Sequence, residues 1–192
     1  MPANLKLRPG RDAHIDRPAP AIVLVAPQLG ENIGAVARVM LNFGLTDLRL
    51  VAPRDGWPNE KAVAMASGAA RVVEAAALAA TTAEALAGAQ FVAAMTARPR
   101  ESLTPVMSPE AAACAMRARI EQGEFCVLLL GPERAGLSND DVARADVIVS
   151  IPVNPAFASL NLAQAACVFC YEWAKAAGYA PPPADLDLAP AA

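Results

Sequence analysis

Three polar segments of this 192-residue sequence contain the side chains that could bind a ligand or take part in catalysis. The first carries Asn32 near a predicted helix start and Arg38 about a turn and a half further on. In the second, Glu133 follows a predicted buried strand between two glycines, a position that a solvated surface charge explains poorly. Ser159 and Asn161 belong to the third, which interrupts an apolar stretch. Segments of this kind build a site rather than a core.

Two prolines shape the third segment, Ile151-Pro-Val-Asn-Pro-Ala-Phe-Ala-Ser-Leu-Asn. Pro152 and Pro155 fix φ and remove two amide donors, so this backbone cannot continue a ladder of strand hydrogen bonds. Its remaining amides and carbonyls must therefore pair with something else. Ser159 is the expected N-cap of the helix that follows.

The first two segments also have a purely structural interpretation. Asn32 and Arg38 would be a helix start and a surface arginine, and Glu133 would form an ion pair with Arg134 or Arg38. Nicotinamide and nucleoside triphosphate binding are not supported, because the first segment lacks both the GxGxxG spacing and the lysine of a phosphate-binding loop.

Alternating strands and helices must position the three segments. Continuous apolar runs such as 127–130 are typical of buried parallel strands. The alternation predicts an α/β fold, with a largely parallel sheet and helices on both faces. Strands are predicted over residues 22–26, 47–51, 91–95, 125–130 and 147–151, and helices over 31–43, 109–121 and 160–177, with short helices after Asn59, after Thr81 or Thr82, and from Ser138.

The three polar segments share a position in this predicted fold. They follow the strands that end near Ala26, Leu130 and Ile151. Ligands of open parallel sheets bind at the carboxyl ends of the strands, so we expect one site built from loops that are distant along the chain.

Length and composition indicate one globular domain. Hydrophobic residues make up 55% of the chain, which excludes a disordered protein. We expect the domain over residues 21–177, a flexible leader over 1–20 and a disordered Pro/Ala tail over 178–192. No apolar run suits a membrane span and the first residues lack a signal-peptide profile, so a cytoplasmic location is expected.

The charge pattern limits how the protein would bind nucleic acid. A formal net charge of −3 excludes a surface coated in positive charge, so any such contact must be local. Thirteen of the sixteen basic residues are arginine, which suits bidentate phosphate contacts. Arg38, Arg98, Arg100 and Arg134 fall beside the polar segments, a distribution that permits RNA binding.

Cysteine and histidine offer no metal or relay site. The four cysteines show no framework of a secreted mini-domain and are expected to be reduced. Cys167 and Cys170 have a CxxC spacing but lie in an apolar helix without a second ligand pair, which favours buried thiols. His14 is the only histidine and has no partner in view.

Taken together, the three segments resemble the motifs of the SpoU/TrmH branch of SPOUT methyltransferases. The resemblance rests on Asn32 with Arg38, on Gly131-Pro-Glu-Arg-Ala-Gly-Leu-Ser and on Pro155-Ala-Phe-Ala-Ser-Leu-Asn-Leu-Ala, and it covers roughly residues 20–175. Phrases such as Ala-Arg-Val-Met and Gly-Leu-Thr-Asp-Leu-Arg-Leu-Val-Ala-Pro look closest to TrmJ-type tRNA 2′-O-ribose methyltransferases.

The resemblance implies a SPOUT α/β-knot, in which the last helix threads past the segment after Leu130 to form a C-terminal deep trefoil knot. It also implies a homodimer and S-adenosyl-L-methionine as cofactor. Ile151 and Leu160 would sandwich the adenine, and Gly131 would leave room for the cofactor to approach. The cofactor-binding residues carried over are Met95, Thr96, Ala97, Gly131, Ile151, Ala158, Ser159 and Leu160.

The implied reaction is methyl transfer to a ribose 2′-hydroxyl, which needs alignment and help with a weakly acidic proton. Arg38 is the family's catalytic residue and would come from the partner subunit. Because a guanidinium is a poor base, Arg38 would clamp a phosphate and polarise the hydroxyl. Asn32, Ser159 and Asn161 would orient the ribose or Arg38, and Glu133 would hold the network together.

The implied substrate is RNA, most directly a cytidine or uridine in a tRNA anticodon loop, of the position 32 type in that family. Three alternatives stay open: a ribosomal RNA substrate, a knotted RNA-binding dimer without catalysis, and a flavodoxin-like nucleotide-binding domain, which the missing phosphate loop disfavours. Retention of all five candidate catalytic side chains argues against the dimer without catalysis. Pro132 and Phe157 are expected to affect the cofactor little, because the glycine and serine contacts remain.

Overall fold

Residues 18–97 and 104–179 are described by the computed structural model. The predictions for His14, Arg98, Arg100 and most of the leader and tail lie outside these residues. The strands are β1 (Ala21–Val25), β2 (Leu48–Val51), β3 (Ala77–Ala79), β4 (Phe91–Met95), β5 (Val106–Met107), β6 (Cys126–Leu130) and β7 (Val147–Val149). The helices are α1 (Gly30–Asn42), α2 (Glu60–Ala66), α3 (Ala70–Glu74), α4 (Thr82–Ala85), α5 (Pro109–Glu121), α6 (Asn139–Val142) and α7 (Leu162–Ala176), and Pro155–Phe157 form a 3-10 turn.

The seven strands of the described residues form one sheet in the order β3-β2-β1-β6-β4-β7-β5. Each pair of neighbours is parallel, which confirms the predicted α/β class. The central strands β1, β4 and β6 are buried along their whole length, which explains their uninterrupted apolar sequence. This pairing brings the carboxyl ends of β6, β4 and β7 side by side.

Helices cover both faces of the sheet, as predicted. On one face, α1, α2, α3, α5 and α7 pack against side chains such as Leu24, Leu50 and Leu128. On the other face, α4 and α6 contribute Ala85 and Val142 to a smaller apolar cluster. Alternate residues of each strand therefore enter two separate cores, and both contribute roughly 25 cal/mol per Å² of apolar area removed from water.

Helices α1 and α2 approach closely through two glycines. A Cβ atom on Gly34 would overlap the carbonyl oxygen of Ala62, and one on Gly30 would overlap the side chain of Asn59. Any larger residue at position 34 would therefore push the two helices apart. Asn59 also caps α2, as predicted, by accepting hydrogen bonds from two amides of its first turn.

The predicted cap of α7 is wrong. Asn161, not Ser159, occupies the N-cap position, because α7 begins at Leu162 rather than at residue 160. The side-chain oxygen of Asn161 accepts a hydrogen bond from the amide of Ala163 at 2.8 Å. Gln164 completes the capping box by accepting from the amide of Asn161 at 3.1 Å. The capping box of Ser138 and Asp141 is confirmed.

Three arginines of the described residues support the fold through aromatic rings. Each guanidinium lies over a ring face, at a distance that gives a cation–π contact. The three pairs are Arg49 over Phe125 at 4.6 Å, Arg117 over Trp173 at 4.7 Å and Arg119 over Phe91 at 4.4 Å.

The four cysteines are free thiols, and of the CxxC pair predicted to be buried, Cys170 is buried whereas Cys167 is half-buried. Cys126 and Cys170 are buried, and burial raises the pKa of Cys126 to about 11 and also raises the pKa of Cys170. Within residues 18–97 and 104–179, no helix combines the length and apolarity that a bilayer crossing requires. The same residues contain no cluster of His, Cys, Asp and Glu suited to a metal ion.

Candidate active site

A cavity of about 410 Å³ opens at the carboxyl ends of β4, β6 and β7. This volume lies in the range of small-molecule binding sites. The eight residues predicted to bind a cofactor all line it, namely Met95, Thr96, Ala97, Gly131, Ile151, Ala158, Ser159 and Leu160. Sequence reasoning missed other lining residues, among them Val153, Leu162 and Ala165. The role of the eight residues in binding stays a prediction.

A hydrogen-bonded network beside the cavity joins the three polar segments. The side-chain amide of Asn161 donates to Oδ1 of Asn32 at 3.0 Å. In turn, Nδ2 of Asn32 donates to Oε1 of Glu133 at 2.7 Å. The second carboxylate oxygen of Glu133 accepts from the main-chain amide of Gln28 at 2.8 Å. Three loops from distant parts of the chain therefore meet at one edge of the sheet, as predicted.

Burial makes this network sensitive to change. Asn32 is only 9% exposed, and both ends of its side-chain amide are paired. An unpaired amide at such a site costs roughly 1–3 kcal/mol, so each partner of Asn32 helps fix the others. Glu133 also lies beside the start of α1, where no side chain caps the helix and the helix dipole favours a negative charge.

The structural alternative for Glu133 is wrong. Among the described residues, Glu133 forms no ion pair with Arg134 or Arg38. Its donors are the amide groups of Gln28 and Asn32, and the Glu133 side chain itself lines the cavity. The carboxylate is thus held in place by neutral donors at the cavity wall.

Arg38 does not line the cavity of its own chain. Its side chain is exposed on the outer face of α1, whereas Asn32 on the same helix is buried. Arg38 also forms no ion pair within the described part of the chain. Ser159 does line the cavity, so one protomer brings together four of the five candidate catalytic side chains.

Gly131 lines the cavity, but the reason expected for a glycine there is wrong. A Cβ atom at Gly131 would overlap the backbone of Gly136 and Leu137. The missing side chain therefore lets the loop after β6 fold back on itself, rather than leaving room for a ligand. The turn also depends on Gly136, whose φ of +66° is a left-handed conformation.

Two groups at this edge were not found from the sequence. The Gln28 amide gives no signal, because every residue except proline carries such a donor. Arg54 follows β2, and its pKa is raised mainly by a hydrogen bond to Asp55 and more weakly by the charge of Glu133. The charge of Glu133 thus acts on Arg54 from across this edge.

The fold and the candidate site define a class of protein. The chain is a parallel α/β protein with a ligand cavity at the carboxyl ends of its strands and a polar network that joins three loops beside the cavity. The sequence profile of the SpoU rRNA Methylase family matches residues 19–171. The chain belongs to this family.

A relative with a curated name is a tRNA methyltransferase. The chain is 40% identical over 161 residues to the tRNA (cytidine/uridine/adenosine-2'-O-)-methyltransferase TrmJ of Pseudomonas aeruginosa strain UCBPP-PA14. That match covers 82% of this chain and 62% of the relative, so the chain spans less than two thirds of the relative's length.

Solved structures share the fold. The crystal structure of TrmJ from Z. mobilis ZM4 has 56% identity and a TM-score of 0.78, covering 86% of this chain and 73% of that one. A protein studied for the 2-OH methylation of C/U34 on tRNA has 28% identity and a TM-score of 0.64, with coverage of 82% and 95%. The SpoU methyltransferase AviRb from Streptomyces viridochromogenes, in complex with AdoMet, is similar in fold at 22% identity, a TM-score of 0.62 and coverage of 84% and 60%.

Proposed function

We propose that the chain is an S-adenosyl-L-methionine-dependent RNA 2′-O-ribose methyltransferase that acts on tRNA. One observation carries the proposal. The cavity lined by the eight candidate cofactor residues is continuous, through Glu133, with the network of Asn32 and Asn161. Membership of the SpoU rRNA Methylase family and the TrmJ relatives support the same reaction.

The cavity suits the cofactor. Its volume of about 410 Å³ holds a molecule of nucleoside size. Apolar Ile151 and Leu160 would contact the adenine, and main-chain groups of the loop that begins at Gly131 would bind polar atoms at its edge. When bound, the cofactor supplies an electrophilic methyl group for transfer to an oxygen nucleophile.

The residues of this chain would align the ribose and assist loss of its proton. A guanidinium is a poor base, so Arg38 would not itself take the proton. Arg38 would instead hold a phosphate of the RNA and polarise the 2′-hydroxyl, and the proton would pass to that phosphate or to water. Ser159 and Asn161 would orient the ribose, while Glu133 would keep Asn32 and the loop at Gln28 in position.

A homodimer would complete the site. Arg38 lies on the outer face of α1 and does not line its own cavity, so a second copy would have to supply it. Exposed apolar surface lies nearby, because Tyr171 of α7 is 52% exposed and contacts Phe43, just after α1, edge to face. The trefoil knot, the domain boundaries and a cytoplasmic location remain predictions from the sequence.

The target nucleotide is part of the proposal. We expect the target to be a cytidine or uridine at position 32 of the anticodon loop. The relative studied for C/U34 makes position 34 the main alternative. The name of the family also favours ribosomal RNA as a second candidate substrate.

Nucleoside mapping tests the proposed reaction. The purified chain is incubated with the cofactor and with unmodified tRNA or ribosomal RNA, and digests are analysed by mass spectrometry. A new 2′-O-methylated cytidine or uridine in tRNA supports the proposal, and its position separates 32 from 34. Methylation of ribosomal RNA alone would assign ribosomal RNA, and not tRNA, as the substrate. No methylation of either RNA, or no cofactor binding by calorimetry, would refute the proposed activity.

Substitution of Arg38 tests the catalytic assignment. Arg38→Ala should lower turnover by roughly two orders of magnitude while cofactor binding stays unchanged. Arg71→Ala is the matched control, because Arg71 is an exposed arginine on α3 that does not line the cavity. Turnover that survives in Arg38→Ala would remove this residue from the mechanism.

Mixing two inactive variants tests the shared site. Arg38→Ala keeps an intact cavity, and Glu133→Ala keeps Arg38, so a mixed dimer would hold one complete site. Equal mixing should restore about a quarter of wild-type activity, because half of the dimers are mixed and each has one working site. No recovery, with subunit exchange verified, would mean that Arg38 does not act across the dimer.

A further inference from the structure

Phe157 is the most exposed large apolar side chain among the described residues, at 79%. It ends the 3-10 turn Pro155–Phe157 and directly precedes Ala158, Ser159 and Leu160, which line the cavity. Phe157 does not itself line the cavity but is adjacent in sequence to residues that do, and its ring buries little of its surface within this chain. Its position therefore points to a contact with something else.

The turn that carries Phe157 is well ordered by its own hydrogen bonds. The side chain of Asn154 accepts from the amide of Ala156 at 3.0 Å. The carbonyl of Asn154 accepts from the amide of Phe157 at 2.9 Å, and Pro155 fixes one φ angle. The ring is thus presented from a short, constrained turn, which reduces the entropy lost when a partner binds it.

A cation lines the cavity that the residues after Phe157 also line. Arg134 lines the cavity and is exposed, and no ion pair within the described residues neutralises it. An exposed aromatic face together with an arginine is the chemistry that binds unpaired nucleotides, through base stacking and contact with phosphate. A folded protein surface or an apolar small molecule would not need the charge.

We propose that Phe157 stacks on an unpaired base of the RNA substrate, at or beside the nucleotide that is methylated. The inference rests on the proposed function and adds a positioning residue to it. Stacking would hold the ribose over the cavity, while Arg134 would hold the neighbouring phosphate. Phe157 would act on RNA binding and not on cofactor binding.

Three substitutions of Phe157 test the role of the ring. Phe157→Ala should raise KM for tRNA by roughly 5- to 100-fold, as expected for loss of one stacked base, while the cofactor Kd from calorimetry changes less than about twofold. Phe157→Trp should keep the wild-type KM, whereas Phe157→Leu, which keeps apolar bulk without an aromatic face, should resemble alanine. Leu78→Ala is the control, because Leu78 is 56% exposed on the edge strand β3, far from the cavity in the sheet order.

An abasic substrate identifies the contact directly. Anticodon stem–loop RNAs that lack one base at a time are compared on wild type and Phe157→Ala. At the position whose base stacks on Phe157, the increase in KM caused by Phe157→Ala should disappear. With that base missing, the wild-type protein has already lost the stacking contact. At all other positions the penalty should persist.

Several results would overturn the inference. They are an unchanged KM in Phe157→Ala, full rescue by Phe157→Leu, a penalty that persists at every abasic position, or a wild-type dimer that becomes monomeric in Phe157→Ala by sedimentation velocity. The last result would assign Phe157 to contact with a second copy. Absence of wild-type turnover on any RNA would refute the proposed function together with the inference, whereas wild-type turnover with an unchanged KM in Phe157→Ala would refute the inference alone.

Discussion

Two carboxylates after β6, Glu133 in the loop that leads to α6 and Asp141 within α6, are used differently. Glu133 accepts hydrogen bonds from Asn32, 101 residues away, and from the amide of Gln28. Asp141 accepts a hydrogen bond of 2.7 Å from the hydroxyl of Thr82, which lies 59 residues earlier in the chain. It also accepts from the hydroxyl and the amide of Ser138. Each carboxylate therefore ties a distant segment to the chain that follows β6, Glu133 through the loop and Asp141 through the helix.

Their donors separate the two roles. Ser138 and Asp141 complete a capping box, so the interactions of Asp141 begin a helix and join it to Thr82 at the start of α4. Glu133 caps no helix of its own, lines the cavity and is linked through Asn32 to Asn161. A carboxylate whose donors belong to a helix cap serves the fold, whereas one whose donors are the loops around a cavity serves the site.

The largest expected effect is on activity, at Glu133. Glu133→Gln keeps the size of the side chain but turns an acceptor toward Gln28 or Asn32 into a donor, which breaks the network. We expect kcat/KM for methyl transfer to fall roughly 100-fold, because a misplaced site loses about that much. Steady-state assays check the fall, with Asp141→Asn as control, assayed where it is fully folded. Equal losses of activity in both variants would contradict the separation of roles.

Asn161 serves both roles, and two substitutions should divide them. Asn161→Asp keeps the cap of α7 but removes the amide that donates to Asn32. Asn161→Ala removes both. We expect turnover to fall about tenfold in each variant, because both leave Oδ1 of Asn32 without its donor. In urea titrations the alanine variant should lose about 1 kcal/mol more unfolding free energy than Asn161→Asp, because it alone also loses the cap of α7. Wild-type turnover in Asn161→Asp would show that the link from Asn161 to Asn32 is not needed for activity.

The elements with strong end signals were predictable. Strand Phe91–Met95 and helix Pro109–Glu121 agree with the prediction at both ends. The strand is a continuous apolar run, and the helix begins with a proline directly after a serine cap, so their positions are well defined by the sequence. Helix α3 and strand β3 were missed, since they lie in an alanine-rich stretch without contrast between apolar and polar positions. Strand β5 has two residues and gains its pairing only from β7.

The candidate site was predictable in residue types but not in pairings. The sequence indicates that Asn32, Glu133 and Asn161 belong together, yet nothing in it shows that Asn32 lies between the other two. The Gln28 amide is invisible to any analysis of side chains. Serine caps helices well, which makes Ser159 the cap expected from the sequence, but Asn161 stands two residues closer to the helix and completes a box with Gln164.

A smaller effect, on stability, is expected at Asp141. Asp141→Asn weakens charge-assisted hydrogen bonds from Ser138 and Thr82, so the unfolding free energy should fall by about 1 kcal/mol. Asp140→Asn is the matched control, because Asp140 is an exposed carboxylate in the same helical turn. The urea midpoint checks both variants at neutral pH. A loss of similar size at Asp140 would assign the effect to the helix dipole rather than to the hydrogen bonds.

The smallest expected effect is the pH dependence of that difference. Burial opposes ionisation of Asp141, but hydrogen bonds from Ser138 and Thr82 prevail and lower its pKa below the ordinary value of 3.8. A carboxyl group with a lowered folded pKa stabilises the native state above its unfolded pKa, and this contribution is lost as the pH falls through the folded value. Urea midpoints of wild type and Asp141→Asn should therefore differ by a constant amount from about pH 7 to pH 5 and converge below about pH 4. A gap that widened in acid would mean that the protonated form of Asp141 is the stabilising one, and the contrast with Glu133 would then rest on position alone.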